Sequence, residues 1–356
     1  MNFLLSDDQL ALQAALRTLL QDKCEPRRVH ATIDAARAYD DELWSDLRGF
    51  GAASIIVPEA YGGLGLDMID LALVAEALGE FAAPAPFLGH ALATLAIIEG
   101  GSEAQKQTWL PKLATGEVLA TVALGERGET WTPASWRIEA GASLSGEKVF
   151  VPNAGEAGLF VIGVAGGGLV LAEKGEAVAA RRIEAVDLTR PLDHVTFSSS
   201  PCEPLANAGA ADRLIDAACV LLAADAYGGA WRCVAMSSDY AKMREQFGAP
   251  IGSFQGLKHQ LANMAIEAET ARGLYWYAAH AFDAIREKAP HAAAQAKAHV
   301  CDAYVQCARD TVEAHGGIGF TWEHDAHLYL KRAMFNSAWL GAPMQHRARA
   351  AQLAGW

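Results

Sequence analysis

Ser6, followed three residues later by Gln9, forms a capping-box pattern, and Leu12, Leu16, Leu19 and Leu20 then recur on one helical face. The spacing predicts an amphipathic helix at the start. Up to about Gly116 the pattern stays helical and rich in Ala and Leu, interrupted by VPEAYGGLGL and by Pro84 and Pro86, which cannot lie inside a helix. From Glu117 to about Asn207 the style changes. Short apolar runs, LFVIGV, LVLA and later VTF, are separated by Gly166, Gly167 and Gly168, which predicts a small β unit. After Ala208 helical periodicity returns: Leu257, Leu261, Met264, Ala265 and Ala268 share one face, as do Ala294, Ala298, Cys301, Val305, Ala308 and Val312. Alanine-rich faces of this kind suit close packing in a bundle.

Helices, then strands, then helices predict an α+β, mainly α chain in three parts. These are an N-terminal helical domain over 1–116, a small middle β domain over 117–207, and a C-terminal bundle of four-helix type over 208–356. The order speaks against an alternating doubly wound sheet, and no GxGxxG or GxxxxGK[ST] run is present, so nicotinamide and P-loop nucleotide enzymes drop out. No internal repeat is visible either. Gly228 and Gly229 fall inside the helical pattern, where each costs about 1 kcal/mol relative to alanine. Close packing against another helix would offset that cost.

Composition narrows the reading further. With 356 residues, 52% of them hydrophobic and 20% charged, the chain can bury a large core. A net charge of −13 repels nucleic acid and anionic lipid, so neither is an expected partner. The apolar stretch from Ala217 to Met236 is interrupted by Asp225 and Arg232, and the opening MNFLLSDDQL has no basic region or cleavage site, so neither a membrane span nor a signal peptide is expected. The six cysteines are scattered without a CxxC pair, which points to a reducing cytoplasm. His315, His324 and His327, with Glu323 and Asp325, match no common ligand spacing and read as polar residues at a helix start, so no metal is expected.

Three segments carry candidate chemistry. Arg244 is a permanent cation just before a turn at Gly248–Pro250, which suits it to a pyrophosphate. Phe247 and Phe254 offer flat apolar surface for an adenine ring, and Gln255 can donate and accept hydrogen bonds at its edge. The same residues also fit a helix-capping turn with core phenylalanines. Gly316, Gly317 and Gly319 let backbone approach a phosphate, or simply mark a loop. Tyr275, Trp276 and Tyr277 point in different directions on a helix and read mostly as core or interface.

The stretch YAKMREQFGAPIGSFQGLKHQLANM, Tyr240 to Met264, resembles the arginine-phenylalanine signature of acyl-CoA dehydrogenases, and EAHGGIGF, Glu313 to Phe320, resembles their second signature. VPEAYGGLGL and QKQTWLPKLATGE resemble the family's N-terminal helical domain, so the resemblance spans the chain. It implies the three-part family fold and α,β-dehydrogenation of an acyl-CoA, in fatty acid or steroid side-chain degradation. It also implies FAD as cofactor and electron-transferring flavoprotein as acceptor. Under it, Arg244 reaches FAD held by a neighbouring subunit, and Gln246, Phe247, Phe254, Gln255, Glu313, Gly316 and Gly317 join it as cofactor contacts. Phe150 and Pro152 stand where the family covers the flavin ring and bonds its N5 edge.

The chain departs from the family pattern where the reaction needs a base. The usual glutamate position is Leu340, 24 residues beyond Gly316, and the alternative position on an earlier helix is Ala218, 26 residues before Arg244. Neither accepts a proton. Asp216 is near in sequence, but a two-residue shift on a helix turns a side chain by about 200°, and Asp216 reads better as a solvated or capping aspartate. Proline at 152 removes both hydroxyl and amide donor. Gly125 to Glu129 replace the family's flavin-binding segment, and Glu313 stands in place of a glutamine near the phosphates. The preferred reading is a partner chain that completes the FAD site of a catalytic subunit, with FAD bound at the interface. The alternatives are a self-sufficient homo-oligomer whose base has moved to Asp216, Glu126 or Glu313, and a scaffold or ligand-binding relative that has lost the chemistry.

Overall fold

The first helix forms as its pattern requires. In the computed structural model, which describes residues 4–128 and 131–356, α1 spans Asp7–Lys23 behind a complete Ser6/Gln9 capping box, with Leu16 and Leu20 buried. It is followed by α2 (Pro26–Asp34), α3 (Asp41–Phe50), α4 (Met68–Glu80), α5 (Phe87–Gly100) and α6 (Glu103–Thr115). Pro84 and Pro86 lie in the turn between α4 and α5, where no helical N–H is lost.

The β region contains two small sheets. β1 (Ala120–Ala123), β3 (Leu159–Val164), β4 (Gly168–Glu173) and β7 (Glu203–Pro204) form one in the order β1-β3-β4-β7. β2 (Ser143–Pro152), β6 (Leu192–Pro201) and β5 (Val178–Arg182) form the other, in the order β2-β6-β5. β3 is buried along its whole length because both of its faces are covered, which is why it reads as a continuous apolar run. In β2 the register against β6 steps between Lys148 and Val151, so β2 carries one extra residue there. Phe150 sits in this bulge at φ +58 and is turned out of the ladder.

The C-terminal part holds α7 (Ala210–Met243), a hairpin of β8 (Glu245–Gln246) and β9 (Ala249–Pro250), α8 (Gln255–Ala284), α9 (Ala289–His315), α10 (Ala326–Ala338) and α11 (Pro343–Leu353). α7 is long and apolar enough to cross a membrane, yet 94% of its most apolar window is buried inside the fold. Its hydrophobicity is spent on the core. The two glycines of its pattern explain how it packs. A Cβ on Gly228 would lie 2.0 Å from the Glu76 carbonyl oxygen on α4, and one on Gly229 would lie 2.3 Å from the Tyr304 ring on α9. Gly79 on α4 repays the contact, its Cβ position being 2.0 Å from the Asp225 carbonyl oxygen. α4 and α7 thus cross backbone to backbone, through small residues on both sides.

Close beside this crossing lies a buried carboxylate. Glu76 accepts hydrogen bonds from Gln13 Nε2 and Arg17 on α1, both at 2.9 Å, and from the Tyr275 hydroxyl on α8. Glu80, Tyr227, Glu269 and Arg272 add charge or ring contacts around the same node. Burial pushes the Glu76 carboxyl up to about 7, although Tyr275 and Arg17 oppose the shift.

Two outcomes follow from this packing. Gly228→Ala should destabilise the chain by about 2 kcal/mol or more, despite alanine's roughly 1 kcal/mol better helix propensity, because the methyl meets backbone that cannot yield; denaturant unfolding measures it, and an unchanged midpoint would remove the close crossing. Glu76 binds its proton more tightly folded than unfolded, so the stability it contributes is present at low pH and lost as pH rises from about 4.5 to 7. Relative to Glu76→Gln, the natural chain should therefore lose about 2–3 kcal/mol of unfolding free energy between pH 5 and pH 8.

Candidate functional site

A groove of about 580 Å³ opens between the β region and the end of α10. Phe150 reaches it through its bulge, and Pro152, two residues on, is buried with its carbonyl held by Thr121 Oγ1 at 2.6 Å. The other wall is α10 and the turn after it, with Phe335 and Trp339 stacked at 5.8 Å. Trp131 closes the corner, 6.0 Å from the Phe150 ring and 6.4 Å from Trp339. It lies where Gly125 leaves room: a Cβ there would be 2.9 Å from the Trp131 ring. The Trp339 indole N–H donates to the Phe150 carbonyl at 3.0 Å, tying the two walls together.

The turn at Leu340 is built as if to present a side chain under strain. Leu340 holds φ +61, a conformation leucine rarely adopts, and is 2% exposed. Two buried groups hold the turn from inside. Lys297 donates to the carbonyls of Asn336 and Ser337, the latter at 3.2 Å, and His346 Nε2 donates to the Leu340 carbonyl at 2.9 Å. Burial lowers His346 to about 4, so the ring stays neutral and suited to this bond. Ala218 is fully buried in α7. Neither position offers a proton acceptor.

The replacement bases are all committed elsewhere. Asp216 is not a solvated or capping residue: it is buried and paired at 2.6 Å with Arg349, which reaches it from α11. Burial raises its carboxyl above the usual range, with Arg349 opposing. Glu126 is buried with Lys148 Nζ at 2.7 Å and accepts from the backbone N–H groups of Arg137 and Ile138. Burial pushes it up, but these donors together hold it below the usual range. Glu313 is exposed on α9 and accepts from Gln260 Nε2 at 3.2 Å. Glu129 lies outside the described residues.

The other half of the cofactor set lies away from the groove. Arg244, Gln246, Phe247, Phe254 and Gln255 are all exposed, and none of them lines it, nor do Glu313, Gly316 and Gly317. Phe247 is 95% exposed at the tip of the β8–β9 hairpin, and Phe247 and Gly248 have φ +53 and +78. Two positive φ values suit Asn-Gly far better than Phe-Gly, so the ring is displayed against its backbone preference. The phenylalanines are therefore not core residues. The Arg244 guanidinium has no ion pair among the described residues, and a Cβ on Gly316 or Gly317 would meet open space. Gln246 Nε2 donates only to the carbonyl of its own neighbour, Glu245, at 2.7 Å. His315 stacks on Tyr240 at 4.3 Å and meets His324 tilted at 4.2 Å. His327 packs on Trp322 at 4.4 Å, within the first turn of α10.

The groove was tested against the needs of a flavin dinucleotide, which requires donors along its pyrimidine edge and cations for its phosphates. Among the described residues lining it there is no lysine, arginine or histidine, and Glu184 and Asp187 border it. Of its N–H side chains, Trp131, Trp339 and Gln345, the Trp339 group is already used. The groove of this chain does not fit FAD. The exposed Arg244 segment does fit the phosphate and adenine part of one. Sequence reasoning missed Trp131, Asp187, Lys297, Trp339 and His346. Trp339, beside Leu340, and His346, six residues beyond it, had a positional signal; the others are brought in from distant segments.

A fold of helices, small sheets and bundle, with a groove between the last two, defines the acyl-CoA dehydrogenase class. The family's N-terminal domain matches residues 6–117 and its C-terminal domain residues 209–353. The chain is 32% identical over 342 residues, 95% of each chain, to acyl-CoA dehydrogenase IpdE2 of Mycobacterium tuberculosis. It is 31% identical over 352 residues to IpdE2 of Mycolicibacterium smegmatis, covering 97% of this chain and 98% of that one. The chain belongs to the acyl-CoA dehydrogenase family. Among solved structures it resembles the ChsE4-ChsE5 complex from Mycobacterium tuberculosis, at 26% identity and TM-score 0.92 over 100% of this chain and 99% of that one. It also resembles the Tcur3481-Tcur3483 steroid ACAD G363A variant, at 29% identity and TM-score 0.90 over 98% of both.

Behind the groove wall, Asp225 at the middle of α7 is met by Arg190, by Arg332 at 2.7 Å and by Asn336 Nδ2 at 2.6 Å. Arg332 also donates to the carbonyl of Ala83 and to Thr189, so one carboxylate ties together helical, β and bundle segments. Asp225→Ala strands two buried cations and should cost about 3–5 kcal/mol in denaturant unfolding. A loss below about 1 kcal/mol would mean the arginines find other partners.

Proposed function

We propose that this chain is one half of a two-chain acyl-CoA dehydrogenase, pairing with a second family member that carries the catalytic base. The carrying observation is an asymmetry. Both base positions, Leu340 and Ala218, are buried and apolar, while the side chains of Arg244, Phe247 and Gln255 are exposed and the Arg244 guanidinium has no ion pair among the described residues. In this reading the chain lends Arg244 to the diphosphate of an FAD held by its partner, Phe247 and Phe254 to the adenine face, and Gln255 to the adenine edge. FAD bound there would supply the hydride acceptor for the acyl-CoA, and Arg244, Phe247, Phe254 and Gln255 would hold it. The reading is supported by structural relatives whose names describe a two-protein complex and a steroid acyl-CoA dehydrogenase. The steroid relative favours a bulky acyl-CoA as substrate, and the family resemblance implies electron-transferring flavoprotein as acceptor. The six cysteines are buried free thiols, in keeping with the cytoplasm.

The test is to purify the chain alone and together with a candidate partner dehydrogenase chain, recording flavin absorbance and acyl-CoA-dependent dye reduction. Colour and activity are expected only in the mixture; a yellow, active chain alone would sink the proposal. In the mixture, Arg244→Ala should lower FAD retention at least tenfold, which corresponds to about 1.4 kcal/mol or more for a lost charge-assisted contact.

A further inference from the structure

We infer that the cleft between α6 and the outer edge of β4 is a docking site for an extended, arginine-bearing segment of another protein. The cleft holds about 750 Å³, and neither the Arg244 segment nor any wall of the aromatic groove lines it. The inference is therefore independent of the pairing with a catalytic chain. Gln105 of α6 donates to the Pro204 carbonyl of β7 at 3.1 Å, which fixes the two sides relative to each other.

The first observation is an unfinished ladder. β4 runs to Glu173, but its pairing with β7 covers only Val170 with Pro204 and Leu171 with Glu203. Lys174 donates its N–H to the Gly158 carbonyl beside β3 at 2.9 Å, so Glu173, one residue earlier, turns its N–H and C=O to the outer edge. By the same register Pro201 stands opposite Glu173, and proline has no N–H to offer. An open edge of this kind is completed by a strand from outside.

The second observation is uncompensated charge. Glu203 lies directly across from Leu171, and Glu173 is two residues on, so both carboxylates share one face of the sheet as diagonal neighbours, about 7–8 Å apart. Neither has an ion pair among the described residues, and Lys174, the one cation lining the cleft, is drawn to the Gly155 carbonyl. A planar guanidinium presents donors to two such carboxylates at once, whereas an ammonium is a single point. Its aliphatic stem has Leu171 and Trp109 to lie against, which are 3% and 9% exposed. The Trp109 indole N–H has no hydrogen-bond partner among the described residues, which leaves a donor for a peptide carbonyl.

The test titrates four acetylated and amidated probes calorimetrically into the full chain. They are Val-Thr-Arg-Thr-Val, the same peptide with citrulline for arginine, the same with both threonines replaced by proline, and arginine alone. Citrulline keeps the shape and removes the charge; proline keeps the chain extended and removes the N–H groups that pair with the edge. The arginine peptide should bind at least tenfold more tightly than each of the other three. Glu203→Gln should reduce its advantage over the citrulline peptide to threefold or less, and Trp109→Phe should weaken both peptides to a similar degree. A citrulline or proline peptide that binds as tightly, arginine alone binding as tightly, an arginine preference unmoved by Glu203→Gln, or no heat at millimolar peptide would each overturn the inference. The wild-type ratios decide the matter even if neither variant folds.

Discussion

A carboxylate sits at the centre of α7, out of reach of water, and the arrangement of the three parts of the chain answers to it. Asp225 must be matched by positive charge, and the two cations that match it come from the β region and from α10. Because Arg190 and Arg332 are both drawn to one point, the loop before β6 and the middle of α10 are held together. The groove is the space left between them. Its width is therefore set by a buried ion network one layer below, and Arg190 also lies over the Phe335 ring at 5.1 Å, joining the network to the groove wall.

The same region shows a framework kept while its chemistry is replaced. Leu340 retains a left-handed backbone, a buried lysine and a buried neutral histidine hold its turn, and yet the side chain is inert. Around it, tryptophan and phenylalanine rings fill the corner, and Asp187 at its border lies in the field of Arg190, Lys331 and Arg332. The displayed hairpin is the reverse case. There an aromatic ring is held in water against its backbone preference, beside an arginine with no ion pair among the described residues.

The elements were largely legible in the sequence because each follows from short-range rules. The α1 capping box, the turn at Pro84 and Pro86, the change from period 3.6 to short apolar runs near Glu117, and the buried faces of α8 and α9 are written in adjacent residues. Even the need for close helix packing at Gly228 and Gly229 could be read from the cost of glycine in a helix. The identity of the neighbours could not: Glu76 and Tyr304 lie more than seventy positions away.

What the sequence determined by itself was the family and the order of helices and strands, since these depend on residue type at a given place. The tertiary structure alone decided which charged residues are free to act. Asp216 read as a solvated or capping aspartate and is buried against Arg349; Glu126 read as a candidate relocated base and is locked by Lys148; Phe247 could have been core and is exposed. A charge's availability depends on who neutralises it, and its neutraliser is brought by folding from another segment. No spacing rule along the chain encodes that distance.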